Sequence, residues 1–438
     1  MNEFERKSIR NGNSLRYSFL RVSTGIKSLC HSPIKILILC LYFACVLLLW
    51  NNRRGILKYS SIQELIPYID NIYKIIIIIA ATLFLVILLQ LLGTPLGAEA
   101  ASENLKRIGF VNHAGEAPVL VDRQQKKELK NCTILEFEVY GLPVYIWENK
   151  IKEIESALNI NIVKLQEGKS KRRILLYTVP VNATLPKSLI WKEDLLSKES
   201  FVLLLGESSI GPVTINLAKI PHILLGGSTG SGKSILLKVL LMQCIKKGAK
   251  VYISDFKGGV DFLRIWHQKC NFITLTIDLN NVLDEIINEL EKRKMQLSLA
   301  ECSNIDQYNQ LTGGELQRII FACDEVAEVL DKNGLSKGDK ELVSSIESKL
   351  STIARQGRAF GIHLILATQR PDATILSGQI RNNIDCRICG RADKILSQII
   401  LDNTEAAEHI PKDIQGRFIM HDGSVFQGYL IDERSTFN

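Results

Sequence analysis

The sequence predicts an α/β fold built around a phosphate-binding loop, joined to a smaller α+β domain and preceded by two transmembrane helices. Three observations carry this prediction. First, residues 223–241 read ILLGGSTGSGKSILLKVLL, an apolar run that breaks at glycines and small hydroxyl residues and then resumes with helical spacing. Second, segments typical of strands and helices alternate beyond residue 201, as in a mostly parallel sheet covered by helices. Third, two apolar runs near the N-terminus are close to the length that crosses a bilayer.

Length and charge place few limits on the function. With 438 residues the chain has room for two or three domains. Its net charge of +8 is concentrated at the N-terminus, where residues 1–35 contain seven lysines and arginines but only two acidic side chains. The remainder is close to neutral. The overall charge is therefore weak evidence for nucleic-acid binding, and any DNA contact must use local basic patches.

The ten cysteines show no repeating spacing, which indicates a reducing compartment. Cys386 and Cys389 form a close pair in the segment IDCRICG. No second pair with metal-ligand spacing lies nearby in the sequence. We therefore expect both thiols to be buried in a strand rather than to bind zinc or act in redox chemistry.

The two apolar runs predict membrane helices over residues 34–50 and 75–92. By the positive-inside rule the basic tail, 1–33, stays in the cytoplasm, so that 51–74 is an extracellular loop and the rest of the chain returns to the cytoplasm. A cleaved signal peptide is disfavoured, because no small-residue cleavage site follows Trp50. A buried helical hairpin in a soluble core is the structural alternative. The leading prediction is a multi-pass protein of the cell membrane.

A small, polar linker over 93–103 leads to a predicted α+β domain over 104–200. Apolar and acidic residues alternate over 135–139, as in a half-buried strand, and apolar residues recur at helical spacing from Trp147 to Leu158. Two more strands flank a basic turn; the strands are Ile160–Leu165 and Ile174–Val179, and the turn holds Lys169, Lys171, Arg172 and Arg173. This turn either touches a phosphate backbone or is a solvated hairpin tip.

Residues 201–438 form the predicted P-loop domain. Its predicted strands are short and apolar: Ile223–Leu225, Val251–Ser254, Phe272–Thr276, Ile319–Cys323 and Leu364–Ala367. The spacing of apolar residues predicts amphipathic helices over Ile235–Ile245 and Val282–Leu297. This order of elements is typical of a sheet with helices on both faces.

The glycine-rich stretch matches the phosphate-binding pattern G-x-x-x-x-G-K-[ST]. Its glycines let consecutive backbone N–H groups turn inward, and the following helix presents its positive N-terminus to the phosphates. Lys233 is expected to reach the β and γ phosphates of ATP, and Ser234 to hold Mg²⁺. The predicted nucleotide-binding residues are Gly227, Ser228, Thr229, Gly230, Ser231, Gly232, Lys233 and Ser234.

Two later strands end in polar residues that complete this site. Asp324 and Glu325 follow one of them. Asp324 is expected beside the Mg²⁺ ion, and Glu325 is expected to orient or deprotonate the attacking water. Gln369 follows the next strand and is placed to sense the γ phosphate. The neighbouring Arg370 either reaches the site of a second subunit or has an ordinary surface role.

From Phe201 to Glu433 the sequence resembles the motor domain of the FtsK/SpoIIIE family of hexameric DNA translocases. The matching segments occur in the order of the family: LAKIPHILLGGSTGSGKS, LDEIINELEKRKMQL, NIDQYN, FACDE, GRAFGIHLILATQRPD, QIRNNIDCRI, ILDNTEAAEHI and GRF. The resemblance covers slightly more than half of the chain and extends well beyond the two nucleotide motifs. It implies a RecA-like fold, a hexameric ring, ATP hydrolysis at the subunit interfaces and DNA threaded through the pore.

The resemblance also implies roles for individual residues. It assigns phosphate binding to Gly227–Ser234, magnesium binding and water activation to Asp324 and Glu325, and a sensor role to Gln369. Three arginines fall where the family has arginine and are candidates for the finger that acts on a neighbouring subunit: Arg358, Arg370 and Arg387.

Two basic residues are the predicted DNA contacts. Arg381, in QIRNNI, falls where these motors carry a basic residue in a pore loop. Lys257, in SDFKGGVDF, is the second. We expect a grip that is independent of base sequence, because phosphates carry most of the affinity and no base-reading element is visible.

The plan of two spans, a small α+β domain and one motor is similar to the TcpA/ConQ-type coupling proteins of Gram-positive conjugative plasmids and integrative elements. The resemblance implies a membrane-anchored, ATP- and Mg²⁺-dependent DNA translocase that forms a homohexamer and brings relaxase-bound DNA to the conjugation machinery. A chromosome-partitioning translocase or a protein-secretion ATPase is the second interpretation. A third is a nucleotide-gated membrane scaffold for a relaxase. The Asp324–Glu325 pair disfavours it, because a scaffold does not need a water-activating carboxylate.

Overall fold

The chain divides into two units, Met1–Asn182 and Ala183–Asn438. The computed structural model describes residues 3–30, 32–57, 66–125, 132–369 and 376–437. The first unit holds the two apolar helices and the small α+β domain, and the second holds the phosphate-binding loop. The division lies after residue 182, whereas the sequence analysis placed the boundary after residue 200.

The helices and strands described in the first unit are α1 (Glu3–Leu29), α2 (Pro33–Leu57), α3 (Ile66–Gly93), α4 (Ala98–Arg107), β1 (Val119–Gln125), β2 (Thr133–Glu138), α5 (Val144–Asn149), α6 (Ile151–Leu158), β3 (Ile160–Glu167) and β4 (Arg173–Pro180). By length and composition, the segments 33–52 of α2 and 70–93 of α3 could each cross a membrane. The predicted loop over 51–74 is shortened at both ends by these helices, and its residues 58–65 lie outside the described part of the chain.

The basic N-terminal segment, predicted as a tail over 1–33, forms helix α1, and the C-terminal half of this helix packs against the end of α3. The Thr24 hydroxyl donates a hydrogen bond to the Gly93 backbone oxygen at 3.0 Å, and the Ser28 hydroxyl donates to that of Leu92 at 3.3 Å. The two backbones approach so closely that a Cβ on Gly93 would overlap the backbone oxygen of Arg21. Small residues permit helix backbones to approach one another this closely.

The small domain has an antiparallel sheet of order β1-β2-β4-β3, with α4, α5 and α6 beside it. The predicted linker over 93–103 is instead largely part of α4, whose Ala98 and Leu105 are buried in the core of this domain. The predicted helix from Trp147 to Leu158 is interrupted at Lys150, where φ is −117°. Both strands predicted around the basic turn are present.

In the second unit the described strands are β5 (Leu189–Ile190), β6 (Val202–Ser208), β7 (Gly211–Asn216), β8 (Ile223–Gly226), β9 (Lys250–Ser254), β10 (Asn271–Ile273), β11 (Ile319–Cys323), β12 (Ile362–Thr368), β13 (Cys386–Cys389), β14 (Arg417–Met420) and β15 (Val425–Leu430). The described helices are α7 (Lys233–Lys246), α8 (Arg264–Lys269), α9 (Thr276–Leu299), α10 (Ile305–Thr312), α11 (Val326–Leu330), α12 (Lys337–Gln356), α13 (Gly378–Arg381), α14 (Lys394–Leu401), α15 (Glu405–His409) and α16 (Glu433–Thr436).

These strands form one mixed sheet of order β10-β9-β11-β12-β8-β13-β14-β15-β6-β7, with β5 paired to β15. The six strands from β10 to β13 are parallel, and the four that follow are antiparallel. The expected parallel sheet is therefore extended by an antiparallel half. Because β5 pairs with this sheet and the buried Trp191 packs in the adjoining core, the second unit begins before residue 201.

Successive side chains of each parallel strand enter two different cores, because strand residues alternate between the faces of a sheet. Leu224 joins the core under α9, α12 and α14, whereas Ile223 and Leu225 join the core under α7. The strand predicted over Phe272–Thr276 is shorter, because α9 already begins at Thr276. As expected, Cys386 and Cys389 are buried in a strand, β13.

Two buried histidines, His222 directly before β8 and His363 in β12, are held as neutral rings. The Leu364 N–H donates to His222 Nδ1 at 2.9 Å, and His363 Nδ1 lies 2.9 Å from the Pro221 backbone oxygen, to which it must donate. His363 Nε2 lies 3.1 Å from Arg318 Nη1, a permanent donor. Burial lowers the pKa of His222 to about 4. Burial, reinforced by the positive charge of Arg318, also lowers the pKa of His363.

We expect the free energy of unfolding to fall as the pH drops from 7 to 5. The unfolded histidines gain protons near pH 6.5 while the folded ones stay neutral, so the stabilisation is complete above pH 6.5 and is lost toward the folded pKa. The expected loss is about 2 kcal/mol for His222 at pH 5, and His363 contributes a loss in the same direction. Urea unfolding of the full chain in detergent, followed by tryptophan fluorescence, measures it. His222→Asn should reduce the pH slope, whereas a change at the exposed His409 to Gln should not; equal slopes would contradict this account.

Candidate nucleotide site

The phosphate-binding loop joins β8 to α7 and needs glycine at defined positions. Gly230 and Gly232 have φ values of 75° and 95°, in the left-handed region that disfavours residues with a Cβ. Space is also limiting. A Cβ on Gly227 would overlap Ser231 Oγ, and one on Gly232 would lie 2.9 Å from the backbone nitrogen of Gly416. Larger residues would therefore change the shape of the loop.

Arg391, which follows β13, holds this loop in place through hydrogen bonds. Its backbone oxygen accepts hydrogen bonds from the Ser228 N–H at 2.8 Å and the Ser228 hydroxyl at 2.9 Å. Its guanidinium donates to the backbone oxygens of Thr229 at 2.7 Å and Lys412 at 2.6 Å. Arg391 was not predicted as a site residue, because its position beside the loop depends on β13 being the parallel neighbour of β8. The only available signal was an arginine two residues after a strand.

The structure brings three predicted site residues together at the end of β11. Lys233 Nζ donates to the Asp324 backbone oxygen at 2.6 Å and to Asp324 Oδ1 at 3.2 Å. The Ser234 hydroxyl donates to the same Oδ1 at 3.1 Å. Lys233 and Asp324 are only 3% and 1% exposed. Each of these buried charges would be costly alone, so each compensates the other.

Glu325, the next residue, is buried with its carboxylate held from two sides. The Thr368 hydroxyl donates to Oε1 at 2.8 Å, and the Gln369 N–H donates to Oε2 at 2.9 Å. The Gln369 side chain in turn accepts a hydrogen bond from the Thr229 hydroxyl of the phosphate-binding loop at 2.9 Å. Gln369 therefore connects the acidic strand end to the loop. β12 makes this possible, because it lies between β11 and β8.

The oxygen atoms of this site fit a magnesium ion. Asp324 Oδ2 is buried and accepts no hydrogen bond from the described residues, so it is available as a ligand or as an acceptor from a metal-bound water. The Ser234 hydroxyl lies beside the other oxygen of the same carboxylate. Mg²⁺ prefers such oxygen ligands, with few from the protein and the rest from water and phosphate.

Lys257, a predicted DNA contact, lies instead beside the acidic strand end. Its Nζ is 3.6 Å from Asp324 Oδ2, and its backbone N–H donates to Asp255 Oδ1 at 2.9 Å. Burial alone would lower the pKa of Lys257, but nearby carboxylates outweigh this effect and raise the pKa; they are Asp324, Glu328, Glu325 and Asp261. The structure gives this lysine a partner in the nucleotide site, and DNA binding is not needed to account for it.

The candidate arginine fingers differ in their surroundings. Arg387 is bound within its own chain, through an ion pair with Asp402 and hydrogen bonds at 3.0 Å to the backbone oxygens of Ile384 and Arg381. Arg358 is exposed in the turn before β12 and makes no side-chain hydrogen bond or ion pair with the part of the chain that the structure describes. Arg370 lies outside the described residues.

The predicted pore-loop residue Arg381 ends the short helix α13. It is partly buried, and its guanidinium donates a long hydrogen bond of 3.5 Å to the Ile399 backbone oxygen. Its Nε is buried and has no hydrogen-bond partner among the described residues. The side chain is therefore only loosely held within this subunit.

A cavity of about 330 Å³ adjoins the start of α7. Ile235 and Leu236 of α7 form one side, and Phe418 and Gln427 of the antiparallel strands form another. Gly232 connects the cavity to the phosphate-binding loop. The lining combines apolar surface with a side-chain amide, as small-molecule sites usually do. Sequence reasoning did not find this cavity, because its walls come from segments almost 200 residues apart.

Comparison with known proteins identifies the family. The sequence profile of the FtsK/SpoIIIE family matches residues 191–373. The structure of the conjugation coupling protein TcpA of pCW3, solved as a monomer with ATPγS, is 34% identical to this chain, covers 78% of it and is itself covered to 97%, with a TM-score of 0.57. The chain belongs to the FtsK/SpoIIIE family. The α/β P-loop fold and the family resemblance predicted from the sequence are thus confirmed.

Two curated relatives are DNA translocases. SftA of Bacillus subtilis is 31% identical over 229 residues, which are 49% of this chain and 23% of SftA. FtsK of Helicobacter pylori is 32% identical over 242 residues, which are 51% of this chain and 27% of FtsK. The chain therefore spans about a quarter of the length of these relatives.

Proposed function

We propose that this protein is a membrane-anchored ATPase that moves DNA, and that it serves as a coupling protein in conjugation. The observation that carries the proposal is that Lys233 and Ser234 donate hydrogen bonds to Asp324, and that the buried Glu325 is the next residue in the chain. The family membership supports the DNA substrate, because its curated relatives are DNA translocases. The match to TcpA along almost the whole of its solved chain supports the conjugative role.

The loop 227–234 would bind the phosphates of ATP through its backbone N–H groups. Lys233, which contacts Asp324 in the structure, would move its ammonium onto the β and γ phosphates. The neighbouring cavity at Ile235 and Phe418 has room for the base and ribose. Ser234 and Asp324 would hold Mg²⁺, which supplies positive charge against the phosphate oxygens when it is bound.

Glu325 would then accept the proton of the attacking water. Its carboxylate is already oriented by the Thr368 hydroxyl and the Gln369 N–H, so little reorganisation is needed before proton transfer. Gln369 also contacts Thr229 of the phosphate-binding loop, a contact that a γ phosphate would perturb. This hydrogen bond supports a sensor role for Gln369, because loss of the γ phosphate on hydrolysis would change the contact between Gln369 and the phosphate-binding loop.

The predicted arginine finger and pore contact require an assembled protein. A homohexamer would bring an arginine of one subunit to the nucleotide site of the next subunit. Arg358 is the favoured finger because its side chain is exposed, and Arg387 is disfavoured because it forms an ion pair within its own chain. Arg381 would contact the DNA backbone in the pore. Helices α2 and α3 would cross the cell membrane and leave the N-terminus and the motor in the cytoplasm, where a relaxase and other conjugation proteins would meet them.

The similarity to SftA and FtsK favours a second candidate, a chromosome-partitioning DNA translocase. It uses the same site and the same chemistry. The two candidates differ in the DNA that they accept and in the cell process that fails without them.

The deciding experiment is ATP hydrolysis by the full chain in nanodiscs, alone and with single- or double-stranded DNA, with Lys233→Ala as the blank. The full chain is needed because a truncation at residue 104 would cut through α4. We expect hydrolysis that depends on Lys233 and rises with DNA. A rate of hydrolysis that neither single- nor double-stranded DNA changes would exclude the translocase function. Conjugation at normal frequency in a strain that lacks the protein would exclude the coupling role.

A further inference from the structure

Two lysines lie against the carboxylate of Asp324, one at each oxygen. Oδ1 receives hydrogen bonds from Lys233 and Ser234. Oδ2 receives no hydrogen bond from the described residues, and Lys257 Nζ lies 3.6 Å from it. The Lys257 side chain is 35% exposed, whereas that of Lys233 is 3% exposed. Lys257 therefore approaches the carboxylate from the solvent side, where it is free to leave.

Lys257 lies on a segment that is anchored at its ends and hinged in the middle. At one end the buried Asp255 accepts a hydrogen bond from the Lys257 N–H, and at the other Phe262 is buried. Between them Gly258 and Gly259 have φ values of 81° and 73°, and because glycine lacks a Cβ these two residues can change conformation at lower cost than other residues. We call residues 256–261 the hinged segment. Its apolar tip, Val260, is 84% exposed.

A divalent cation at Asp324 would change this arrangement. In the structure, two ammonium groups offset the single negative charge of this carboxylate. Bound nucleotide would draw Lys233 toward the phosphates, and Mg²⁺ held by Asp324 would repel any ammonium group within a few ångströms. Lys257 would then lose its attraction to Oδ2, and because it is the more exposed of the two lysines it would move toward solvent.

We propose that Lys257 is a positioning residue that serves as the counter-ion of Asp324 while the site holds no nucleotide, and that Mg²⁺ with nucleotide displaces it and releases the hinged segment. This inference rests on the proposed function, which makes Asp324 a magnesium ligand. It adds a regulatory link, because binding of nucleotide and Mg²⁺ would change the conformation of the hinged segment, a surface loop that follows β9. Lys257 also keeps free divalent cations away from Asp324 until nucleotide arrives.

The first test is Mn²⁺ binding by the full chain in detergent without nucleotide, measured by electron paramagnetic resonance of free Mn²⁺. We expect Lys257→Gln to bind one Mn²⁺ roughly tenfold more tightly than the wild type, because one repelling charge is gone. Lys257→Arg retains the charge and should behave as the wild type. Lys250→Gln, at the opposite end of β9, is the matched control and should also leave Mn²⁺ affinity unchanged. Adding Asp324→Asn to Lys257→Gln should remove the gain.

The second test is hydrogen–deuterium exchange of the hinged segment. In the wild type, exchange should rise when ATPγS and Mg²⁺ are added. In Lys257→Gln it should already be high without them. Unchanged Mn²⁺ affinity in Lys257→Gln overturns the inference. Tighter Mn²⁺ binding without faster hydrogen–deuterium exchange of the hinged segment overturns the release of that segment.

The outcomes separate this inference from the proposed function. If the wild type does not bind ATPγS in equilibrium dialysis, the proposed function fails and the displacement of Lys257 by nucleotide fails with it. If the wild type binds ATPγS but Lys257→Gln matches it in Mn²⁺ affinity and in exchange, only the role of Lys257 is wrong.

Discussion

Replacing Glu325 with glutamine should lower ATP hydrolysis by roughly 10²- to 10⁴-fold, the usual contribution of a general base. The amide cannot take a proton from water, but it has nearly the shape of the carboxylate. Its one oxygen can accept from the Gln369 N–H, and its NH₂ can donate to the Thr368 hydroxyl oxygen. Lys233 and Ser234 are untouched, so nucleotide binding should persist. Phosphate release and equilibrium binding of ATPγS, measured on the same preparation, separate the two effects.

Glu328→Gln is the matched control for this change. Glu328 lies one turn further along, on α11, and its side chain is exposed. The change Glu328→Gln also removes one negative charge, but it leaves intact the Glu325 carboxylate that Thr368 and Gln369 hold. Hydrolysis by Glu328→Gln should stay close to that of the wild type. Normal hydrolysis by Glu325→Gln would show that another group activates the water.

Replacing Gly93 with valine should separate α1 from the end of α3. The new Cβ would overlap the Arg21 backbone oxygen and would lie 2.5 Å from the Gly25 nitrogen, and neither backbone atom can move alone. Overpacking of this kind costs about 1–3 kcal/mol or more. The hydrogen bonds from Thr24 and Ser28 to the end of α3 would be lost as well. Hydrogen–deuterium exchange of residues 13–29, in detergent, should rise strongly.

The effect of Gly93→Val should extend to the small domain. On the same helix α1, Arg16 forms an ion pair of 2.9 Å with the buried Glu138, which also pairs with Arg173 at 2.9 Å. Displacing α1 would leave Glu138 with one partner instead of two, and exchange in β2 should increase. Leu91→Val, a change of an exposed side chain two residues away, is the control and should leave both segments as in the wild type. Unchanged exchange of α1 in Gly93→Val would refute the close packing.

Much of the nucleotide site could be predicted from the sequence, because its members lie in short contiguous motifs. The glycines, Lys233 and Ser234 occur in one eight-residue pattern, and Asp324 and Glu325 end a strand of five apolar residues. Motifs of this kind combine the local backbone geometry and the chemistry of the site. The structure places Lys233 and Ser234 within hydrogen-bond distance of Asp324.

Other features depended on contacts that no local pattern reveals. Lys257 was interpreted as a DNA contact from its motif, and its place beside Asp324 follows from the parallel pairing of β9 with β11. Arg391 holds the phosphate-binding loop because β13 lies next to β8, although the two strands are about 160 residues apart in sequence. A strand order is set by the packing of the whole sheet, so such neighbours cannot be read from spacing.

The sequence by itself determined the family, the phosphate-binding loop, the acidic strand end and the two apolar helices, because motif spacing and apolar periodicity are local properties of the chain. Only the tertiary structure decided the antiparallel half of the sheet, the packing of α1 against α3 and the surroundings of each basic residue. The physical reason is that a lysine or arginine has the same local signature on a surface, in an ion pair or beside a phosphate. Long-range packing supplies the partner, and the partner decides the role.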